Sequence, residues 1–161
     1  MKGPEFFPYG IVAPSEFPDT ADKLLDEFME ITEQLEMRTY LAFGLCLGLF
    51  RDGKYIPGDN DLDFVVITKE INDVERLTRA MQSRGFNMGL VYPLPANNKH
   101  FYKGRILIDV YFRTEGQFYC GSATVGYNGK EYPIPFPVTE YLSSCYKNWL
   151  IPSDETSAYY G

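Results

Sequence analysis

The sequence predicts a mixed α/β (α+β) protein in which helices flank a mixed β-sheet. Helix-like and strand-like patterns alternate over the first half of the chain, and mainly antiparallel strand signals follow in the second half. The chain has 161 residues, of which 45% are hydrophobic, which suits one domain with its own core. We therefore expect an extended N-terminal arm over residues 1–18 and a single domain over residues 19–161.

The arm and the first helix are separated by a clear change of pattern. Residues 1–18 are rich in proline and aromatic residues, which disfavours a helix there. Asp19 or Thr20 can cap a helix that begins after Pro18. Apolar residues then recur at helical spacing, at Leu24, Phe28, Ile31 and Leu35.

The next segment predicts a strand, a short helix and a buried strand. A strand is expected from Tyr40 to Gly44, and a helix from Leu45 to Arg51. A helix that begins at a glycine offers bare N–H groups to an anion. Turns over Gly53 and Pro57-Gly58 lead to a strand from Leu62 to Thr68, whose nearly continuous apolar run predicts burial on both faces.

The second half of the domain is predicted to be richer in strands. A helix from about Asn72 to Arg84, ending at Gly85, precedes them. The candidate strands are Phe86–Tyr92, His100–Lys103, Ile106–Phe112 and Phe118–Gly121. Asn128-Gly129 predicts a hairpin between strands Val125–Tyr127 and Glu131–Ile134. Prolines at 133, 135 and 137 exclude a central strand there, and a last helix is expected over about Thr139–Asn148.

Charge and cysteine usage limit the partners and the compartment. The net charge of −7 argues against nucleic acid as a partner, because a phosphate-binding face needs a basic surplus. Thr39–Phe50, the longest uncharged apolar stretch, is shorter than the roughly 20 residues of a membrane span. Three cysteines without CxxC spacing, and no secretory signal, favour free thiols and a cytoplasmic location. The oligomeric state stays open.

Three aspartates are the strongest candidates for chemistry. Asp61 and Asp63 lie two residues apart at the start of the predicted buried strand, so their side chains point to the same side. Asp109 is the one charged residue inside the apolar strand Ile106–Phe112, where a carboxylate is costly unless it is compensated. If the two strands are neighbours, the three carboxylates form an oxygen-only pocket that suits Mg²⁺ or Mn²⁺ with phosphate oxygens. Arg51 and the helix start at Gly44 would supply positive counterparts for the phosphates.

The aspartates allow two plainer interpretations. A short run of Asp and Asn is often only a solvated turn. An EF-hand would place ligands at alternate residues from Asp59, but its sixth position needs glycine and holds Phe64. That residue, together with the strand pattern around it, excludes the EF-hand.

The segment from Gly44 to Asp63 resembles the LicD family of phosphocholine transferases and their relatives fukutin and fukutin-related protein. The matching residues, in the family's order and spacing, are Gly44, Leu47-Gly48, Arg51, Gly53, Ile56-Pro57, Asp59 and Asp61-Leu62-Asp63. Ile108–Phe112 resembles the family's third-carboxylate strand, and the Pro-rich segment near Tyr132 and the sequence Tyr146–Trp149 resemble its closing motifs. The resemblance extends over roughly residues 24–152.

The resemblance implies a nucleotidyltransferase fold and a transferase activity. The family moves a phospho-substituent from a CDP-activated donor onto a carbohydrate or small-molecule hydroxyl. By this resemblance Asp61, Asp63 and Asp109 would hold divalent metal, with Asp109 alternatively accepting the proton of the attacking hydroxyl. Arg51 would steady the phosphates, and the nucleotide would also contact Gly44, Leu45 and Lys54.

The chain also departs from the family pattern, which leaves other functions open. Leu45 replaces a hydroxyl residue, Gly58 a tryptophan and Asn60 an aspartate, and Tyr146–Trp149 differs at its two middle positions. The alternatives are nucleotidyl transfer onto a small molecule or protein side chain, a non-catalytic nucleotide- or metal-binding module, and a purely structural domain. Six other residues could act as a base, contact phosphate or stack on a base, but ordinary structural or solvated roles are favoured for them: His100, Lys54, Lys103, Tyr55, Phe101 and Tyr102.

Overall fold

The structure is a computed structural model that describes residues 17–89 and 97–152. Its helices are α1 (Phe17–Gln34), α2 (Phe43–Asp52), α3 (Asp73–Ser83) and α4 (Val138–Cys145). Its strands are β1 (Thr39–Leu41), β2 (Asp61–Ile67), β3 (Asn87–Met88), β4 (Asn98–Lys103), β5 (Ile106–Arg113), β6 (Thr124–Tyr127) and β7 (Lys130–Pro133). The predicted mixed α/β fold is confirmed. Within the described ranges, no helix combines the length and hydropathy that a membrane span requires.

The main sheet brings the two predicted carboxylate strands together. Its strand order is β1-β2-β5-β4-β3. The central strands β2 and β5 are parallel, whereas the other neighbouring pairs are antiparallel. In the β2–β5 register, Asp63 lies opposite Asp109. Because side chains alternate along a strand, Asp61, Asp63 and Asp109 all project from the same face of the sheet.

The opposite face of these strands lies in the main hydrophobic core. Phe64 of β2 and Val110 of β5 are fully buried there with Leu77 of α3. The rings of Phe28 in α1 and Phe64 stack with their centroids 4.2 Å apart. β2 thus has apolar residues on its core face, as its hydrophobic run predicts, and carboxylates at the start of its other face.

A short hairpin is fastened to α1 by tyrosine–aspartate hydrogen bonds. β6 and β7 pair around Asn128-Gly129, both of which have positive φ, at 56° and 79°. This is the backbone that a two-residue type I′ turn requires, so the predicted hairpin is confirmed. The Tyr127 hydroxyl donates to Asp22 of α1 over 2.7 Å, and the Tyr132 hydroxyl donates to Asp26 over 2.7 Å.

Several predicted boundaries differ from the structure for local reasons. α1 begins at Phe17, so the last two residues of the predicted arm belong to the helix, since proline is tolerated in a first turn. Residues 1–16 lie outside the described residues. The predicted strand Phe118–Gly121 is wrong, because Phe118 has a φ of 70° and the segment forms only isolated bridges. The predicted strand Phe86–Tyr92 is reduced to β3, and its last three residues are not described.

The remaining elements shift by a few residues. β1 ends at Leu41, and α2 begins at Phe43, earlier than the predicted start at Leu45. α4 ends at Cys145, three residues before the predicted end.

Candidate metal and phosphate site

The three predicted aspartates form one cluster at the start of β2 and the middle of β5. Each of Asp61, Asp63 and Asp109 offers a carboxylate oxygen, and these oxygens all lie within 4.8 Å of one another. Asp63 is only 6% exposed and Asp109 only 8%. The parallel pairing of β2 with β5 therefore creates the oxygen-only pocket that the sequence predicts.

Burial and mutual repulsion disfavour the charged forms of these carboxylates. Burial, then the charge of Asp109, raises the pKa of Asp61 to about 6. Burial, then Asp61 and the other nearby carboxylates, holds the pKa of Asp63 well above its usual range. Burial and the charge of Asp61 raise the pKa of the neighbouring Asp59 to about 7.

Among the described residues, the basic side chain next to the cluster is that of His100, whose Nε2 lies 3.3 Å from Oδ1 of Asp109. Across residues 17–89 and 97–152, no Lys or Arg forms an ion pair with Asp59, Asp61 or Asp63. Buried like charges without a counterion are unfavourable, and a divalent cation would relieve them. The donor set is entirely oxygen, which is what Mg²⁺ and Mn²⁺ prefer, so the residues present fit such an ion.

The N-terminus of α2 lies against the carboxylates because residue 44 is glycine. A Cβ atom at Gly44 would lie 3.2 Å from Oδ2 of Asp59 and 3.5 Å from Oδ2 of Asp63. The N–H groups of Gly44 and Leu45 belong to the first helical turn, where the helix itself supplies no acceptors. The Leu45 side chain is buried in the main core, so only its backbone can meet a ligand. The carboxylates and the positive end of the helix are thus adjacent.

Phe43, directly before this glycine, has a backbone conformation that is rare for a side chain of its size. Its φ is 44°, in the left-handed region. Its N–H donates to the Tyr141 hydroxyl over 2.8 Å, and its ring lies 4.9 Å from the ring of Tyr111. A non-glycine residue at positive φ beside a candidate site is consistent with a fixed local geometry.

Asp109 has more hydrogen-bond partners than the sequence indicates. Asn98 of β4 donates from Nδ2 to Oδ1 of Asp109 over 2.7 Å. The Tyr111 hydroxyl donates to Oδ2 over 3.1 Å, and Nε2 of His100 lies 3.3 Å from Oδ1. Asn98 and Tyr111 were not among the predicted site residues, although Tyr111 follows Asp109 by two residues on one strand and therefore shares its face.

Arg51 and Lys54 are not brought together with the aspartates. Arg51 lies at the far end of α2, about 10 Å along the helix axis from Gly44 at 1.5 Å per residue. Its guanidinium donates to the Asp52 carboxylate and, over 2.8 Å, to the carbonyl of Trp149. Lys54 is exposed in the turn that follows α2. Their roles in phosphate binding stay predictions.

The aromatic and lysine candidates outside the motif have structural contacts. Tyr55 is buried and donates to Asp22, and Phe101 is fully buried in the main core. Lys103 pairs with Glu27 of α1 over 3.0 Å.

Fold and site together define a protein of the nucleotidyltransferase-fold class. The sequence model for the LicD/FKTN/FKRP nucleotidyltransferase domain matches residues 36–121, which is more than half of the chain. This protein belongs to that family, and the predicted family resemblance is confirmed. Membership indicates a transferase. A search of curated protein sequences finds no match.

Solved structures with the same fold include two of an antibiotic-resistance factor, ANT(2'')-Ia. Its solution structure is similar with a TM-score of 0.58 at 12% identity, covering 73% of this chain and 66% of that one. Its crystal structure in complex with adenylyl-2''-tobramycin is similar with a TM-score of 0.55 at 10% identity, covering 72% and 69%. About a third of each of those proteins thus has no counterpart here, and the similarity shows the fold alone.

Proposed function

We propose that this protein is a metal-dependent transferase that moves a phospho-substituent from a CDP-activated donor to a hydroxyl group. The substituent would be phosphocholine-like or a polyol phosphate, and the acceptor a sugar or another small molecule. Family membership supports the reaction class. One structural observation carries the proposal: Asp63 and Asp109 lie in register on parallel neighbouring strands, with an oxygen of Asp61 within 4.8 Å of theirs.

Mg²⁺ or Mn²⁺ is the cofactor that this cluster fits. Asp61, Asp63 and Asp109 would hold it, because their buried carboxylates otherwise repel one another. When bound, such an ion neutralises phosphate charge and helps to stabilise the charge that develops during phosphoryl transfer.

The chain's own residues would then orient the donor and accept the proton of the acceptor hydroxyl. The first N–H groups of α2, at Gly44 and Leu45, would bind the negative oxygens of the donor phosphates. The acceptor oxygen bonds to the phosphorus that carries the headgroup. The bond from that phosphorus to the bridging oxygen breaks, and CMP leaves with the electron pair. Asp109, if it is not a metal ligand, is the carboxylate that would take the hydroxyl proton.

Nucleotidyl transfer is the second candidate, because this chain differs from the family at positions within the Gly44–Asp63 motif. Leu45 lacks a hydroxyl for phosphate, and Gly58 lacks the aromatic wall of the family's tryptophan. These differences leave the three carboxylates in place but alter the surroundings that would select a donor. ANT(2'')-Ia, which shares the fold, has been solved in complex with adenylyl-2''-tobramycin. The same differences also keep a non-catalytic nucleotide-binding module as an alternative.

A thermal-shift screen tests the site first. The full chain is heated with CTP, CDP-choline, CDP-ribitol, ATP or UTP, each with and without Mg²⁺ or Mn²⁺. A ligand at 100 times its dissociation constant should stabilise the protein by about 2.7 kcal/mol. Asp63→Ala should abolish this shift, whereas Asp19→Ala, at an exposed aspartate in the first turn of α1, should not.

Turnover assays then separate the reactions. Release of CMP from a CDP-activated donor supports the proposed transfer, and release of pyrophosphate from a nucleoside triphosphate supports nucleotidyl transfer instead. Stabilisation without either product indicates a binding module. If no nucleotide and metal pair stabilises the wild type, the proposed function is wrong.

A further inference from the structure

The side chain of Asn98 connects the Asp109 carboxylate to the backbone of the strand that carries it. Its Nδ2 atom donates to Oδ1 of Asp109 over 2.7 Å and to the carbonyl oxygen of Val110 over 2.8 Å. Both hydrogens of the amide are therefore used on two consecutive residues of β5. Asn98 itself is only 8% exposed, so this arrangement is shielded from water.

The strand register explains how Asn98 reaches Asp109. In the antiparallel pairing of β4 with β5, Asn98 lies opposite Tyr111 and His100 lies opposite Asp109. Asn98 is thus the diagonal neighbour of Asp109 on the same sheet face, a separation that longer side chains can bridge. Tyr111 donates to the second oxygen, Oδ2, over 3.1 Å. Each carboxylate oxygen of Asp109 therefore has a neutral donor.

Asp61 and Asp63 are held differently. Their carboxylate oxygens lie close to each other, and their charges repel that of Asp109. This repulsion favours rotation of the Asp109 carboxylate away from the other two when no cation is bound. A donor fixed to the β5 backbone opposes that rotation.

We propose that Asn98 is a positioning residue, which directs the Asp109 carboxylate into the pocket that it shares with Asp61 and Asp63. Tyr111 assists by holding the second oxygen. The role rests on the proposed function, because Asn98 acts on a divalent ion only through Asp109. A purely structural role, in which Asn98 only satisfies the Val110 carbonyl, makes different predictions.

Mn²⁺ titration of the full-length protein, followed by electron paramagnetic resonance of the free ion, tests the proposal. Asn98→Ala should weaken Mn²⁺ affinity about 10–100-fold, the usual effect of losing a hydrogen-bond partner of a metal ligand. Asn87→Ala, an exposed asparagine in β3 of the same sheet, is the matched control and should bind Mn²⁺ like the wild type.

A double variant shows whether Asn98 acts through Asp109. Asp109→Ala should weaken Mn²⁺ binding at least as much as Asn98→Ala. The double variant should be no weaker than Asp109→Ala alone, because residues that act through one another are not additive. Water-proton relaxation of bound Mn²⁺ should also show an additional coordinated water in Asn98→Ala, where the carboxylate has turned away.

The proposal has distinct modes of failure. If Asn98→Ala lowers the thermal midpoint in EDTA but changes Mn²⁺ affinity less than about threefold, Asn98 is structural and the proposal is wrong. If the two single effects add in the double variant, Asn98 does not act through Asp109. If Asn98→Ala does not fold, Tyr111→Phe replaces it, and unchanged affinity there rejects the two-donor arrangement. If the wild type binds no Mn²⁺, the proposed metal site fails as well.

Discussion

Replacing Asp61 with asparagine is expected to stabilise the metal-free protein at pH 8 while it weakens metal binding. Burial and the charge of Asp109 raise the pKa of Asp61 from 3.8 to about 6 in the folded protein. Roughly two pKa units at about 1.36 kcal/mol each make the ionised carboxylate cost about 3 kcal/mol of folding free energy. Asparagine has nearly the same shape, carries no charge and can donate to a neighbouring carboxylate.

The pH dependence of this gain follows from the direction of the shift. Below the unfolded pKa, Asp61 is protonated in both states and its burial adds no ionisation cost. Between about pH 4 and pH 6 the folded protein retains a proton that the unfolded chain has lost, so wild-type stability falls as the pH rises. Above about pH 6 the cost is constant. The advantage of Asp61→Asn should therefore be largest at pH 8 and disappear near pH 4.

Urea unfolding in EDTA at pH 8, 6 and 4 measures the effect. We expect Asp61→Asn to raise the free energy of unfolding by about 2–3 kcal/mol at pH 8. Added Mn²⁺ should then stabilise the wild type more than the variant, which has lost one of the three proposed ligands. Asp19→Asn, at the exposed start of α1, controls for the loss of one negative charge. If Asp61→Asn unfolds at the same or a lower urea concentration than the wild type at pH 8, the carboxylates are not destabilising and the reasoning fails.

Three further variants test the scaffold, each by urea unfolding. Gly48→Ala should lower the free energy of unfolding by about 1–3 kcal/mol, because the added Cβ would lie 2.7 Å from the backbone oxygen of Lys54. Gly116→Ala is the control and should be neutral, because its Cβ would meet nothing within 4 Å. Asp73→Ala should cost about 2 kcal/mol at neutral pH. Backbone N–H donors hold the pKa of Asp73 below its usual range, so this difference should vanish as the pH falls below about 4. Asp22→Ala should cost about 2–3 kcal/mol, since two tyrosine hydroxyls lose their acceptor, and an unchanged midpoint would contradict this.

The carboxylate cluster was predictable because it depends on alternation within strands. Asp61 and Asp63 are two residues apart, and Asp109 is a single charge in an apolar strand, so both patterns are visible in the sequence. The sequence did not specify whether the two strands are neighbours in the sheet. The parallel register that sets Asp63 opposite Asp109 forms between residues 46 positions apart, and no local pattern specifies it.

The partners of Asp109 were not predictable for the same reason. Asn98 reaches it only through the diagonal geometry of the β4–β5 pair. The predicted strand Phe118–Gly121 failed differently, because its aromatic residues suggest a strand while Phe118 adopts a positive φ. Aromatic content indicates burial more reliably than it indicates backbone conformation.

The main-core residues and the carboxylates lie on opposite faces of the central strands. On β2, Leu62, Phe64 and Val66 lie in the main core, where burial stabilises the fold. The other face of the same strand begins with Asp61 and Asp63, where burial and mutual repulsion raise both pKa values and disfavour the charged forms. Val65 and Ile67 follow on that face in a second, smaller apolar cluster. Because side chains of one strand alternate between faces, substitutions in the carboxylate pocket need not disturb the core. The fold can therefore tolerate departures from the family pattern such as Leu45 and Gly58, whereas loss of an aspartate should remove the proposed metal binding without unfolding the protein.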